Sequence, residues 1–286
     1  MKNDFHMHTI HSDGKHTVQS IFESAKKYGL KYMAITDHNI NTGVIEAREF
    51  NYPKTYGIKL INGIEMNVTY KNYFIEVLIL GYNLEKANKL GVFNRERLDI
   101  INNGIIDDLI IIANEKKLYF RQEDIKRNGI AFGQIEFINT LKSYKENAEF
   151  FSKAGKISVK DASKNNPFWI DCTKFYFSLQ EINKIRDLIG GKIFIPHPLN
   201  RFKIKNQKKF VNDVAKSKLI DGLEVYHPDI SLKESEYLIK VANRYNLLKT
   251  GGSDNHEIKY PLGVCAKHKV VIPKMQDVIN LYKGQF

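Results

Sequence analysis

Residues 4–9 read Asp4-Phe5-His6-Met7-His8-Thr9, polar and apolar side chains alternating with the two-residue period of a strand. Side chains two apart in an extended segment leave the same face, so His6 and His8 can converge on one ion through their imidazole nitrogens. Asp254 and His256 repeat the spacing near the far end of the chain, just after the apolar stretch 247–251. Outward from these pairs, short β-branched segments at 32–36, 59–65, 74–80, 192–196, 222–226 and 269–272 alternate with amphipathic helical ones. That alternation is the pattern of a parallel sheet wrapped by helices, which makes the fold class α/β. Residues 17–28 illustrate the helical half: a threonine cap, then Val18, Ile21, Phe22 and Ala25 on one face, and a stop at Gly29. Residues 179–189 and 233–245 repeat the theme.

The chemistry-bearing side chains cluster at the ends of these strands. Asp37, His38, Glu65, His197 and His227 join the two pairs at positions past a predicted strand's C-terminal end, where parallel barrels collect catalytic groups. Imidazole and carboxylate suit zinc, iron or manganese, so a polynuclear metal site is expected. The only cysteines, Cys172 and Cys265, are far apart and form no CxxC, which argues against a disulfide framework and a thiolate site and fits a reducing cytoplasm.

From about residue 85 to 165 the alternation gives way to polar helical sequence around a long apolar stripe at 98–113. The expected organisation is therefore a barrel in two parts, 1–84 and 166–286, interrupted by a helical insertion at 85–165. A composition of 43% hydrophobic and 27% charged residues in 286 is that of a globular chain. Apolar runs such as 109–113 fall far short of the roughly 18 residues needed to cross a bilayer, so no membrane partner is expected. The first residues carry no apolar core of a signal peptide, and a cytoplasmic location is the expectation. The net charge of +12 favours an anionic partner through field steering. It is most lopsided at 201–218, with Arg201, Lys203, Lys205, Lys208, Lys209, Lys216 and Lys218 against Asp213 alone.

His6-Met7-His8-Thr9, Ser12-Asp13-Gly14 and Ala34-Ile35-Thr36-Asp37-His38-Asn39 together resemble the opening of the PHP (polymerase and histidinol phosphatase) domain. Gly63-Ile64-Glu65, Ile195-Pro196-His197-Pro198, the stretch from Asp221 to Pro228 and Gly251-Gly252-Ser253-Asp254-Asn255-His256 follow in the family's order. With its insertion the chain is similar over nearly its whole length to the TrpH-like branch of metal-dependent phosphoesterases. The resemblance implies a distorted seven-stranded (β/α) barrel with two or three divalent ions (manganese, zinc or iron) in its mouth. It further implies that His6, His8, Glu65 and Asp254 hold one ion, that Asp13, His38 and His256 hold another, and that Glu65 with His197 contributes to a third. Two ions about 3.5–4 Å apart can share a hydroxide and stabilise an in-line attack on phosphorus. Asp13, His227 and Arg201 then stand as catalytic groups, and Arg201, His227 and Lys203 as substrate contacts.

The implied activity is hydrolysis of a phosphomonoester by metal-bound hydroxide, on a small phosphorylated metabolite, a nucleotide of the 3′,5′-bisphosphate type or the 5′ end of a short oligonucleotide. No obligate protein partner is implied. A histidinol-phosphatase-like enzyme and a non-catalytic nucleic-acid-binding or regulatory module are the alternatives. In two places the chain departs from the branch. Leu78 stands where a histidine is usual, so two ions are expected unless Glu76, on the same face by alternation, replaces the donor. In the insertion, Gln134 and Glu136 replace an arginine and a histidine that help hold phosphate, which leaves nucleotide specificity open.

Overall fold

The computed structural model of the chain describes residues 2–71, 73–154, 166–199, 206–257, 262–265 and 270–285. It divides into two compact units, Met1–Asn94 with Phe177–Phe286, and Arg95–Tyr176.

Seven strands form the sheet of the first unit: β1 (Lys2–Asp4), β2 (Leu30–Ile35), β3 (Lys59–Tyr70), β4 (Tyr73–Leu80), β5 (Lys192–Ile195), β6 (Gly222–Tyr226) and β7 (Leu248–Gly251). They lie side by side in chain order. The pairs β1–β2, β2–β3, β5–β6 and β6–β7 are parallel, whereas β4 runs antiparallel to both of its neighbours. The wholly parallel sheet expected from the alternation is thus corrected to a mostly parallel one. Only two residues separate β3 from β4, with Tyr70 opposite Tyr73, and a parallel return needs a crossover of roughly a dozen residues or more.

Two other strand expectations also shift. β1 stops at Asp4, and residues 5–8 continue beyond it through single bonds to the far edge strand's extension. Phe5 N–H donates to Gly251 O at 3.2 Å, Asp254 N–H to His6 O at 2.8 Å and His8 N–H to Asn255 O at 3.0 Å. The segment expected at 269–272 contributes β9 (Val270–Val271), which pairs antiparallel with β8 (Val264–Cys265) in a separate two-stranded ribbon.

One face of the sheet encloses Phe5, Ala34, Ile61, Leu78, Leu80 and Phe194, all fully buried. The other face is covered by helices whose ends follow the sequence signals. Helix Val18–Lys27 is capped by Thr17, whose hydroxyl accepts the Ser20 N–H, and it buries Val18, Ile21, Phe22 and Ala25. Burial of a side chain such as Phe22 is worth roughly 2–3 kcal/mol. Helices Leu179–Ile189 and Leu232–Arg244 start at reciprocal capping boxes, Ser178 with Glu181 and Ser231 with Glu234.

The second unit has its own core. Helices Arg95–Glu115 and Gly133–Ser143 pack Ile105, Ile106, Leu109, Phe137, Ile138 and Leu141 around Phe168. Asn102 fixes the turn between them, its amide donating to Ile130 O and its carbonyl accepting the Gly133 N–H. Gln134 donates to Phe168 O at 3.2 Å, and Glu136 sits in the first turn of its helix. Among the described residues, no helix is long and apolar enough to cross a membrane.

Candidate metal centre

The positions singled out in the sequence meet where the strands end. His6 and His8 lie on the extension of β1, His38 follows β2 and bridges to Glu65 on β3, His197 follows β5, and Asp254 and His256 follow β7. Two glycines set the closeness of this assembly. A Cβ on Gly252 would stand 2.1 Å from the His6 Cβ, and one on Gly14 would stand 2.4 Å from the His8 carbonyl oxygen. His197 and Asp254 both adopt left-handed backbone, with φ of 30° and 48°, a conformation non-glycine residues hold only where the surroundings impose it.

Glu65 is the hub. Its Oε2 lies 3.2 Å from the Nε2 of His6, 3.2 Å from that of His8 and 3.4 Å from that of His38, while its Oε1 lies 3.1 Å from His197 Nε2. Asp254 Oδ1 faces the same two imidazoles, 3.3 Å from His6 Nε2 and 3.2 Å from His8 Nε2. On the outer side, Asp13 Oδ2 stands 3.1 Å from His256 Nε2 and 3.8 Å from His38 Nε2. Three overlapping groups can therefore each hold an ion: His6, His8, Glu65 and Asp254; His8, Asp13, His38 and His256; and His38, Glu65 and Glu76.

Hydrogen bonds fix which nitrogen each ring presents. The ionised Glu224 accepts from His6 Nδ1 at 3.0 Å, which leaves Nε2 to face Glu65 and Asp254. His256 Nδ1 donates to Asp254 O at 2.9 Å, which aims its Nε2 at Asp13. His227 is set the opposite way: its Nδ1 accepts the Asp229 N–H at 3.0 Å, so the proton sits on Nε2, 3.2 Å from Asp254 Oδ2. His227 thus offers the cluster a proton, where His6 and His256 offer lone pairs.

The electrostatics are those of carboxylates buried among imidazoles. Burial opposes the charge of Glu65, yet His6 and His38 hold it well below the usual carboxylate range. Burial likewise opposes Asp13, which His256 and His38 hold down. For His8 burial disfavours the charged ring, but Asp254 and Glu65 outweigh it and push it up to about 10. His38 goes the other way, lowered by burial to about 4 despite Glu65. His8 Nε2 lies 3.2 Å from both Glu65 Oε2 and Asp254 Oδ1, yet among the described residues neither of its fully buried ring nitrogens makes a hydrogen bond. An ion between those three atoms resolves that misalignment, and the nitrogen and oxygen donors suit divalent zinc, manganese or iron.

Two carboxylates with no assigned role in the sequence also belong to the site. Glu224, within the Asp221–Pro228 stretch, orients His6 and accepts the His197 N–H at 2.7 Å. Its signal was a single acid in an otherwise apolar strand. Asp37 ties down the loop that delivers Asp13, accepting from Thr9 N, Thr9 Oγ1 and Ser12 Oγ at 2.7 Å each. Arg201, Lys203 and Lys205 lie outside the described residues, while Lys208 and Lys209 are exposed on helix Gln207–Lys216.

The model of the PHP domain matches residues 4–156, more than half of the chain. Over 264 residues, 90% of this chain and 94% of the relative, it is 25% identical to phosphoribosyl 1,2-cyclic phosphate 1,2-diphosphodiesterase of Eggerthella lenta. A stretch of 87 residues is 31% identical to the 5′-3′ exoribonuclease Rnm of Escherichia coli, covering 30% of this chain and 29% of that protein. Among solved structures, a protein from Bifidobacterium adolescentis described as a metal-dependent phosphoesterase superposes with a TM-score of 0.68 at 22% identity, over 98% of this chain and 96% of that one. An amidohydrolase from Chromobacterium violaceum gives 0.70 at 19% identity, over 98% and 97%. At these identities the two structures speak to the fold alone.

Proposed function

Because the chain belongs to the PHP domain family, we propose that it is a metal-dependent phosphoesterase hydrolysing a small phosphorylated compound or the 5′ end of a short oligonucleotide. The observation that carries this reading is Glu65, whose two oxygens face His6, His8 and His38 on one side and His197 on the other. His6, His8, Glu65 and Asp254 would hold one ion, and Asp13, His38 and His256 a second. Divalent ions held there supply Lewis-acid polarisation of phosphoryl oxygens and activation of the attacking water.

The chain's own residues do the positioning. Glu224 sets the His6 tautomer and steadies the peptide of His197, and His227 holds Asp254 through its Nε2 proton. Arg201, four residues after His197, and Lys203 act on the substrate's phosphate, where an arginine fork suits two oxygens at once. The relative that spans nearly the whole chain is named for a cyclic phosphate of phosphorylated ribose, so that compound joins the candidate substrates.

The test is a panel offered to the manganese-loaded protein: sugar phosphates, a phosphoribosyl cyclic phosphate, nucleoside 3′,5′-bisphosphates, 5′-phosphorylated oligonucleotides and histidinol phosphate. Turnover of one of the first four classes supports the proposal. Turnover of histidinol phosphate alone selects the histidinol-phosphatase-like alternative, and binding of nucleic acid without any turnover selects the non-catalytic one.

A further inference from the structure

The sequence favours two ions because Leu78 cannot ligate, but the register of β3 and β4 places another donor at the centre. Leu78 pairs with Glu65 across the ladder and is fully buried among Phe5, Ala34, Ile61 and Phe194 in the apolar floor beneath the cluster. Two residues earlier on the same face, and one pair further along the ladder, Glu76 is opposite Asn67. Its Oε2 reaches to 3.5 Å from His197 Nε2, the nitrogen that also lies 3.1 Å from Glu65 Oε1. Ligand atoms of His38, Glu65 and Glu76 fall within 4.8 Å of one another.

Building on the phosphoesterase reading, we propose that Glu76 completes a third divalent-cation position with Glu65 Oε1 and His197 Nε2, so that the chain binds three ions. Two carboxylates and one imidazole form a harder donor set than the imidazole-rich groups around His8, and oxygen donors suit manganese better than zinc. Three protein donors leave coordination positions open, as a catalytic rather than a structural site does. The Glu76 side chain is 21% exposed where those of Glu65 and His197 are fully buried, so this position lies on the solvent side of the cluster. The third ion is therefore the most readily exchanged of the three and the one that prefers manganese.

The experiment counts manganese bound to the full chain, by the loss of the free-ion paramagnetic resonance signal on titrating metal-free protein. The wild type should take up three equivalents, the last more weakly than the first two. Glu76→Gln should take up two, and the retention of those two shows that its cluster is intact. Glu76→His, which restores an imidazole donor, should take up three and tolerate zinc in the third place. Two equivalents in the wild type, or three in Glu76→Gln, overturns the third position while leaving the phosphoesterase reading standing. No bound manganese in the wild type overturns both.

Discussion

Glu224 Oε1 lies 3.0 Å from His6 Nδ1, and its Oε2 accepts the backbone N–H of His197 at 2.7 Å, so one buried carboxylate orients a side chain from β1 and a peptide beyond β5. Burial opposes the charge of Glu224, but His6 and His227 keep it ionised. Glu224→Gln can offer an amide N–H where the carboxylate only accepts, which frees the His6 tautomer. The expected effect is a roughly 10–100-fold loss of metal affinity, measured by competition with a chelator, and an unchanged affinity would count against the role.

His227 separates two kinds of involvement. If it holds Asp254, His227→Gln weakens metal binding, and excess manganese restores most of the rate. A proton donor to the leaving oxygen behaves differently: its loss lowers kcat at saturating manganese and removes the alkaline limb of the pH–rate profile. Rate measurements across pH at saturating manganese should show the first pattern.

Metal loading should release protons at a pH where ordinary histidines have none to give. In the metal-free chain Asp254 and Glu65 push His8 up to about 10, and Glu65 and Glu224 raise His6 well above its usual value, both against burial. A ring must be neutral at the ligating nitrogen, so at pH 8 binding displaces at least one proton and affinity climbs with pH by about tenfold per unit per proton. The sign for stability follows from the same shifts. These raised values stabilise the metal-free fold fully below the ordinary histidine value near 6.5, and that contribution is lost as pH rises through about 10. Calorimetric titration in two buffers of different ionisation enthalpy reads the proton count, and zero released protons contradicts the assignment.

Gly252→Ala should damage the site through packing. The new methyl would meet the His6 Cβ at 2.1 Å and its backbone nitrogen at 2.6 Å, and neither atom can swing away. A loss of about 1–3 kcal/mol is expected in chemical denaturation, together with reduced metal content.

The two-residue spacings were legible because extended backbone puts His6 with His8 on one face whatever the rest of the chain does. The α/β class was legible from periodicity, and the seven sheet strands lie near the segments read from it. The reversal of β4 was not inferred, because apolar alternation is the same in either direction and only the two-residue link from Tyr70 to Tyr73 distinguishes them. The early end of β1 was hidden for a related reason: residues 5–8 keep a strand's pattern, but their partners past β7 offer only single bonds such as His8 N–H to Asn255 O. Glu224 and Glu76 needed three dimensions, since each matters through a histidine distant in the chain.

The most direct test of the whole account is phosphate release by the chain stripped of metal and then reloaded with manganese, using the best substrate of the panel. The account predicts no turnover in the stripped protein, recovery on adding manganese, and failure to recover in Asp254→Asn, whose Oδ1 no longer carries charge between His6 and His8. Full activity in protein shown by elemental analysis to be metal-free would contradict it.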